Sequence, residues 1–164
     1  MKKTHILILA SSVLLSSHVN GTEANLCSSD ETEIAVCQLN EPKKRLFSFC
    51  TKRNSDVVSY RFGTARNIEL EIDFNKENRV QRWTDLATYT VYLGFKRGDY
   101  AYSFGIPQET LNAKAFLTVK KGNEQIGHDK TCTSNSFGEK NIPSNAILDV
   151  NDEAIRNNRF NFPY

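Results

Sequence analysis

The sequence predicts an all-β fold: an antiparallel β-sandwich or flattened barrel of about eight strands, disulfide-stapled, with a short C-terminal extension able to form a helix. Three observations predict it. Apolar and polar residues alternate with a period of two through much of the chain. The alternating runs are short and separated by turn residues, at the spacing of sandwiches and barrels. Four cysteines lie behind a removable export signal.

That signal, residues 1–21, is the first element. Lys2 and Lys3 give a positive start, residues 6–15 (ILILASSVLL) form the apolar core, and Val19-Asn20-Gly21 supplies a cleavage site before Thr22. The core falls short of the roughly 17 to 25 residues that cross a bilayer as a helix, so no stable membrane anchor is expected. Cys27 follows Leu26, where a lipoprotein would need a small residue, and therefore reads as a disulfide partner. A bacterial export signal of this kind places the protein in the periplasm or outside the cell.

Cleavage removes two basic charges and no acidic ones, leaving 19 of the 21 basic residues against 19 acidic ones. A neutral mature chain has no clustered basic footprint, so nucleic acid is not an expected partner. The 143 residues left after the cut, of 164, suit one core. The reading divides them into a sandwich over residues 22–132 and an extension over residues 133–164.

Strands are expected over residues 34–39 and 45–50, joined by the turn Asn40-Glu41-Pro42-Lys43-Lys44. Residues 57–62 add Val58, Tyr60 and Phe62 on one face. Residues 67–74 alternate cleanly, with Ile68, Leu70, Ile72 and Phe74 inward and Asn67, Glu69, Glu71 and Asp73 in water. Residues 88–95 place Tyr89, Val91, Leu93 and Phe95 inward, and residues 99–106 do the same for Tyr100, Tyr102, Phe104 and Ile106. Lys96-Arg97-Gly98 links those two runs as a hairpin. Residues 115–120 and 125–131, joined around Gly122-Asn123, complete the set. Residues 133–143 read as a loop, and Ser144 as the cap of a short helix carrying Ile147, Val150, Ala154 and Ile155. The strand runs are shorter than the roughly 9 to 11 residues that cross a bilayer, which argues against an outer-membrane barrel.

Cys27, Cys37, Cys50 and Cys132 are expected to form two disulfides. Three connectivities are open; the hairpin between Cys37 and Cys50 favours that pair, leaving Cys27 to join Cys132. No C-x-x-C spacing exists and the mature chain has one histidine, His128, so no metal site, cofactor or redox centre is expected. A serine or cysteine nucleophile would need a histidine base, and no nucleophile motif surrounds His128. The carboxylates Glu69, Glu71 and Asp73 occupy the wet face of one strand. The chain is therefore read as a non-enzyme with no catalytic residues.

Cys37, Leu46-Phe47-Ser48-Phe49-Cys50, Tyr60-Arg61-Phe62-Gly63, Ile68-Glu69-Leu70-Glu71-Ile72, Arg97-Gly98-Asp99-Tyr100-Ala101-Tyr102 and the segment 119–132 together resemble a family of small secreted proteobacterial proteins. The likeness spans about residues 27–132 and implies export, cysteines and β-structure, with no activity attached. The chain is more loosely similar to the periplasmic lysozyme inhibitors, disulfide-bonded β-structures that insert a loop into the lysozyme cleft. Those directed at chicken-type lysozyme carry Ser-Gly-x-x-Tyr and then Tyr-x-x-x-Thr-x-Gly. Here Arg97 stands at the serine position, Tyr100 comes one place early, and no second segment follows at that spacing.

The function expected is a protein-binding module of the envelope that inhibits a cell-wall hydrolase or neutralises a toxin as an immunity protein. A small envelope hydrolase or glycan-binding protein is the alternative class, and a structural envelope component the third. The candidate contact residues are Lys96, Arg97, Asp99 and Tyr100 at the hairpin tip, with Trp83 as an exposed anchor or a cover for one end of the core.

Overall fold

The computed structural model describes residues 24–164. The export signal, with its cut before Thr22, lies outside the described residues. The fold is an all-β sandwich of two sheets. The smaller is antiparallel, in the order β1 (Glu31–Gln38), β2 (Leu46–Lys52), β3 (Val58–Thr64) and β4 (Asn67–Phe74). The larger contains β5 (Val80–Asp85), β6 (Thr90–Arg97), β7 (Tyr100–Ile106), β8 (Phe116–Lys121), β9 (Glu124–Gln125), β10 (Lys130–Thr131) and β11 (Ile147–Val150). Its order is β10-β8-β7-β6-β5-β11, with β9 also on β8; every pair is antiparallel except β11 on β5.

The core lies where the inner faces meet. Phe47 and Phe49 of β2 and Tyr60 of β3 oppose Phe95 of β6 and Phe104 of β7, with Phe47 meeting Phe104 edge-on at 4.3 Å between centroids. Period-two alternation produces this arrangement directly, because each strand delivers every second side chain to one face. Burial in this aromatic cluster raises the Tyr60 hydroxyl far above its ordinary range.

Several expectations are corrected. Residues 80–85 form a strand that alternation did not reveal. Val80 enters the main core, while Trp83 is covered on the opposite face by the C-terminal segment, so both faces of β5 are buried in places. Residues 125–131 are not continuous: Gly127 turns with φ +69, leaving the short β9 and β10, with His128 exposed between them. Tyr89 is not inward; it sits at φ +54 in the β5–β6 turn, 61% exposed, donating its N–H to the Asp85 carbonyl.

The sandwich also continues past Cys132. Ala146 and Ile147 belong to the main core, and β11 extends the larger sheet, so residues 144–150 are strand and approach rather than helix. The helix α1 is shorter and later, Asp152–Asn157. It is capped by Asn151, whose side chain accepts from the Glu153 N–H, with Asp152 and Glu153 in the first turn.

Both disulfides form, but as Cys27–Cys50 and Cys37–Cys132, not the favoured pairing. Register explains the correction. Cys37 lies opposite Phe47, three residues from Cys50, which is about 10 Å along a strand. Cys37 also faces the core, whereas Cys50 alternates with Phe49 to the outer face, where it meets Cys27. All four cysteines are thus oxidised, which fits an oxidising, non-cytoplasmic setting.

The two bridges anchor segments that cover the smaller sheet. Residues 26–31 cross its outer face: the Leu26 N–H donates to Ser48 Oγ, and Arg61 Nη1 donates to the Leu26 carbonyl. The segment after Cys132 runs along β1, where the Val36 N–H donates to Ser136 Oγ and the Glu139 N–H to the Glu33 carbonyl. At the other border β4 carries Glu69, Glu71 and Asp73 outward; Glu71 accepts from Arg61 and Asp73 from Ser59.

Arg61 also pairs with Glu31 at 2.6 Å, both side chains nearly buried at 12% and 4% exposure. Burial would raise the Glu31 carboxyl, but the hydrogen bonds from Arg61 and the Ser28 N–H outweigh it and hold the carboxyl below its ordinary 4.5. A carboxylate depressed on folding contributes stability that is complete above its unfolded pKa and lost as pH falls through the folded value. The urea midpoint is therefore expected to fall below pH 4.5, with Glu31→Gln removing part of that dependence; an identical pH profile in the variant would contradict this assignment.

Candidate functional site

The hairpin tip proposed from sequence is a two-residue turn. Arg97 pairs with Tyr100 across Gly98-Asp99, and Gly98 adopts φ +57, the left-handed conformation such turns require. A Cβ at Gly98 would meet nothing within 4 Å, so conformation rather than space accounts for glycine there. Lys96, Arg97, Asp99 and Tyr100 are all exposed.

A second turn, Gly122-Asn123, joins β8 to β9 beside the first. The register sets Arg97, Tyr100, Lys121 and Glu124 along one rung, and Lys96, Ala101, Lys120 and Gln125 along the next. The two ends are tied together: the Gly122 N–H donates to the Asp99 carbonyl at 3.0 Å, and Lys121 Nζ lies 5.8 Å from the Tyr100 ring centroid. Four cations, Lys96, Arg97, Lys120 and Lys121, thus share one end of the larger sheet with two carboxylates, Asp99 and Glu124. Lys120 and Lys121 were missed as candidates because the pairing of β7 with β8 is not visible in the linear sequence.

Trp83 does not join this end and is not an exposed anchor. It is 6% exposed, stacked on Tyr92 at 4.6 Å, with Nε1 donating to Asp152 Oδ1. Phe162 packs on it at 5.6 Å and Phe160 at 6.4 Å. It packs on the outer face of the larger sheet, in a cluster with Val150, Ile155 and Phe162 that is separate from the main core.

The same face carries a cleft. One rung presents Trp83, Tyr92 and Phe116, and the next presents Ser103 and Thr118 as a low floor. Gly94 makes room for the tail, because a Cβ there would lie 2.6 Å from the Phe162 ring. Phe160 and Phe162 of that tail then line one side of an opening of about 290 Å³. Asp129 lines it, its Oδ1 accepting from Thr118 Oγ1 at 2.7 Å and from Gln125 Nε2 at 2.9 Å. At the far end Asp85 accepts from Arg156 Nη2 and from Thr88 Oγ1. Burial raises the Tyr92 hydroxyl above its ordinary value, with the charges of Asp85 and Asp129 acting the same way.

Phe160 stands over this cleft on unusual backbone. Arg159 and Phe160 have φ of +53 and +57, and the Phe160 N–H closes α1 by donating to the Ile155 carbonyl. A left-handed non-glycine residue costs about 1 to 2 kcal/mol. The strain is spent holding a phenyl ring that remains 52% exposed.

Cys27, Glu31 and Cys50 bring possible ligand atoms within 4.8 Å of one another. Both sulfurs are bonded to each other and Glu31 is held by Arg61, so no thiolate is on offer there. Among the described residues no helix is long and apolar enough to cross a membrane. No family model, curated protein or solved structure matches this chain.

Proposed function

We propose that the chain is an exported, non-catalytic module of the bacterial periplasm or cell exterior that binds a protein partner through the paired β6–β7 and β8–β9 hairpin ends. The partner class is a cell-wall hydrolase. The observation that carries this reading is Arg97 and Lys121 on the last rung of one sheet end, flanking Tyr100, with Lys96 and Lys120 on the next rung and the opposite face. Glycosidase clefts hold two carboxylates, and a guanidinium presented on a stiff turn can pair with them through two hydrogen bonds. Because β6, β7 and β8 hold the backbone, little ordering is required on binding.

The test is clearance of a bacterial cell-wall suspension by chicken-type, goose-type and phage-type lysozymes, with and without the protein. The wild type is expected to inhibit at least one class, more weakly as salt rises. Arg97→Ala is expected to weaken that inhibition by at least about thirtyfold, the scale of truncating one partner of a buried charge pair. Undiminished activity of all three lysozymes would overturn the hydrolase reading, and full potency of Arg97→Ala would remove the hairpin end from it.

A further inference from the structure

From the outer-face cleft we infer that this protein carries a second binding site, for a neutral oligosaccharide whose rings lie on either side of Phe160. The cleft described above is one lobe. A second, of about 270 Å³, shares Lys120 and Phe160 with it and is lined by Asn123, Asn158, Arg159 and Asn161. Phe160 therefore divides two adjoining subsites, each near the small end of ligand pockets.

The lining matches sugar chemistry. A pyranose offers a C–H face and a rim of hydroxyls that both donate and accept. Phe116, half-buried, and the part of the exposed Phe160 ring that Arg156 leaves open, its guanidinium lying 5.3 Å from the ring centroid, offer apolar ring surface to the first. The amides of Asn123, Asn158, Asn161 and Gln125 also donate and accept, which suits the second. Asp129 is held in place by Thr118 and Gln125 and needs no reorganisation to accept from a hydroxyl.

In the first lobe Asp129 opposes Lys120, which argues against an anionic ligand such as a nucleotide there; Asp85 is taken by Arg156, and the lining of the second lobe includes Lys120 and Arg159 without a carboxylate. The strained backbone at Arg159 and Phe160 supplies a reason for the ring to stand exposed: it is positioned as the divider between subsites rather than folded into the core.

The chain contains one tryptophan, and it lies in this cleft, so its fluorescence reports on the site alone. The experiment titrates the folded protein with mono-, di- and trisaccharides of N-acetylglucosamine, and separately of glucose. Saturable change in Trp83 emission is expected for at least one series, with the disaccharide binding at least about tenfold tighter than the monosaccharide. Phe160→Ala is expected to lose about tenfold in affinity, the scale of one aromatic contact, and Asn123→Ala, on an exposed turn, to lose affinity for the disaccharide but not the monosaccharide. No saturable change with either series overturns the inference, as does binding that both variants leave intact. Lys120 and Asn123 belong to both regions, but failure here is separable from failure of the hairpin reading, because saccharide binding is read from Trp83 emission and Phe160→Ala, and the hairpin reading from lysozyme inhibition and Arg97→Ala.

Discussion

Replacing Cys37 and Cys132 together by alanine is expected to destabilise the fold by roughly 4.5 kcal/mol, and replacing Cys27 and Cys50 by roughly 3.5 kcal/mol. Both figures follow from the loop each bridge closes in the unfolded chain, since the sequence separations are 95 and 23 residues. The dependence on loop length is logarithmic, so a fourfold longer loop adds only about 1 kcal/mol. Cys37–Cys132 also joins the two halves of the sandwich, bonding β1 of one sheet to the segment leaving β10 of the other. Urea unfolding of the two double variants under oxidising conditions measures the comparison. A greater loss for the shorter loop would show that native packing around Cys27, rather than chain restriction, dominates.

The second large effect is expected at Phe104. It is 1% exposed and lies between the sheets, edge-on to Phe47 at 4.3 Å and stacked with Phe49 at 6.5 Å. Phe104→Ala removes its transfer free energy and leaves a cavity that the strands on either side cannot close, a loss of about 3 to 5 kcal/mol. Phe137→Ala makes the same chemical change at a ring that is 65% exposed, and is expected to stay within about 0.5 kcal/mol of wild type. Thermal or urea unfolding of both separates burial from composition. Equal losses would mean that the sheets do not meet at Phe104.

How far the sequence could be read depended on whether one face of a strand meets water. In β6 and β7 inner and outer residues differ in polarity, and Leu93, Phe95, Phe104 and Ile106 were assigned to the core correctly. In β4 the acidic face was equally plain, although Ile68, beyond the register shift between Phe62 and Gly63, stands 46% exposed while Leu70, Ile72 and Phe74 pack on the core. Alternation failed at β5, where Trp83 and Val80 are buried on opposite faces by different parts of the chain. It failed again at Gly127, which interrupts a run whose composition favours a strand.

Pairing was illegible for a related reason. Which cysteines meet depends on the register of β1 against β2, which includes a shift between Glu33 and Ala35. Four cysteine positions carry no information about that shift. The hairpin end was half legible: Lys96 and Arg97 are neighbours in sequence, but Lys120 and Lys121 join them only through β8. The cleft was not legible at all. Phe160 and Phe162 were plain as an aromatic C-terminal run, yet their seat depends on Gly94, more than sixty residues earlier, having no side chain.

The two borders of the smaller sheet have unequal histories during folding. β4 carries its own protection against edge-to-edge association, since exposed Glu69, Glu71 and Asp73 would repel the same strand of another molecule. β1 has no such charge over Ile34 to Cys37 and relies on residues 132–139 to occupy its border. That cover is made by chain that lies some hundred residues downstream and is retained by Cys132. Until it arrives, a nascent or truncated molecule offers a bare apolar strand to its neighbours. Oxidation of Cys37 with Cys132 thus holds the cover over the β1 border as well as restricting the unfolded chain.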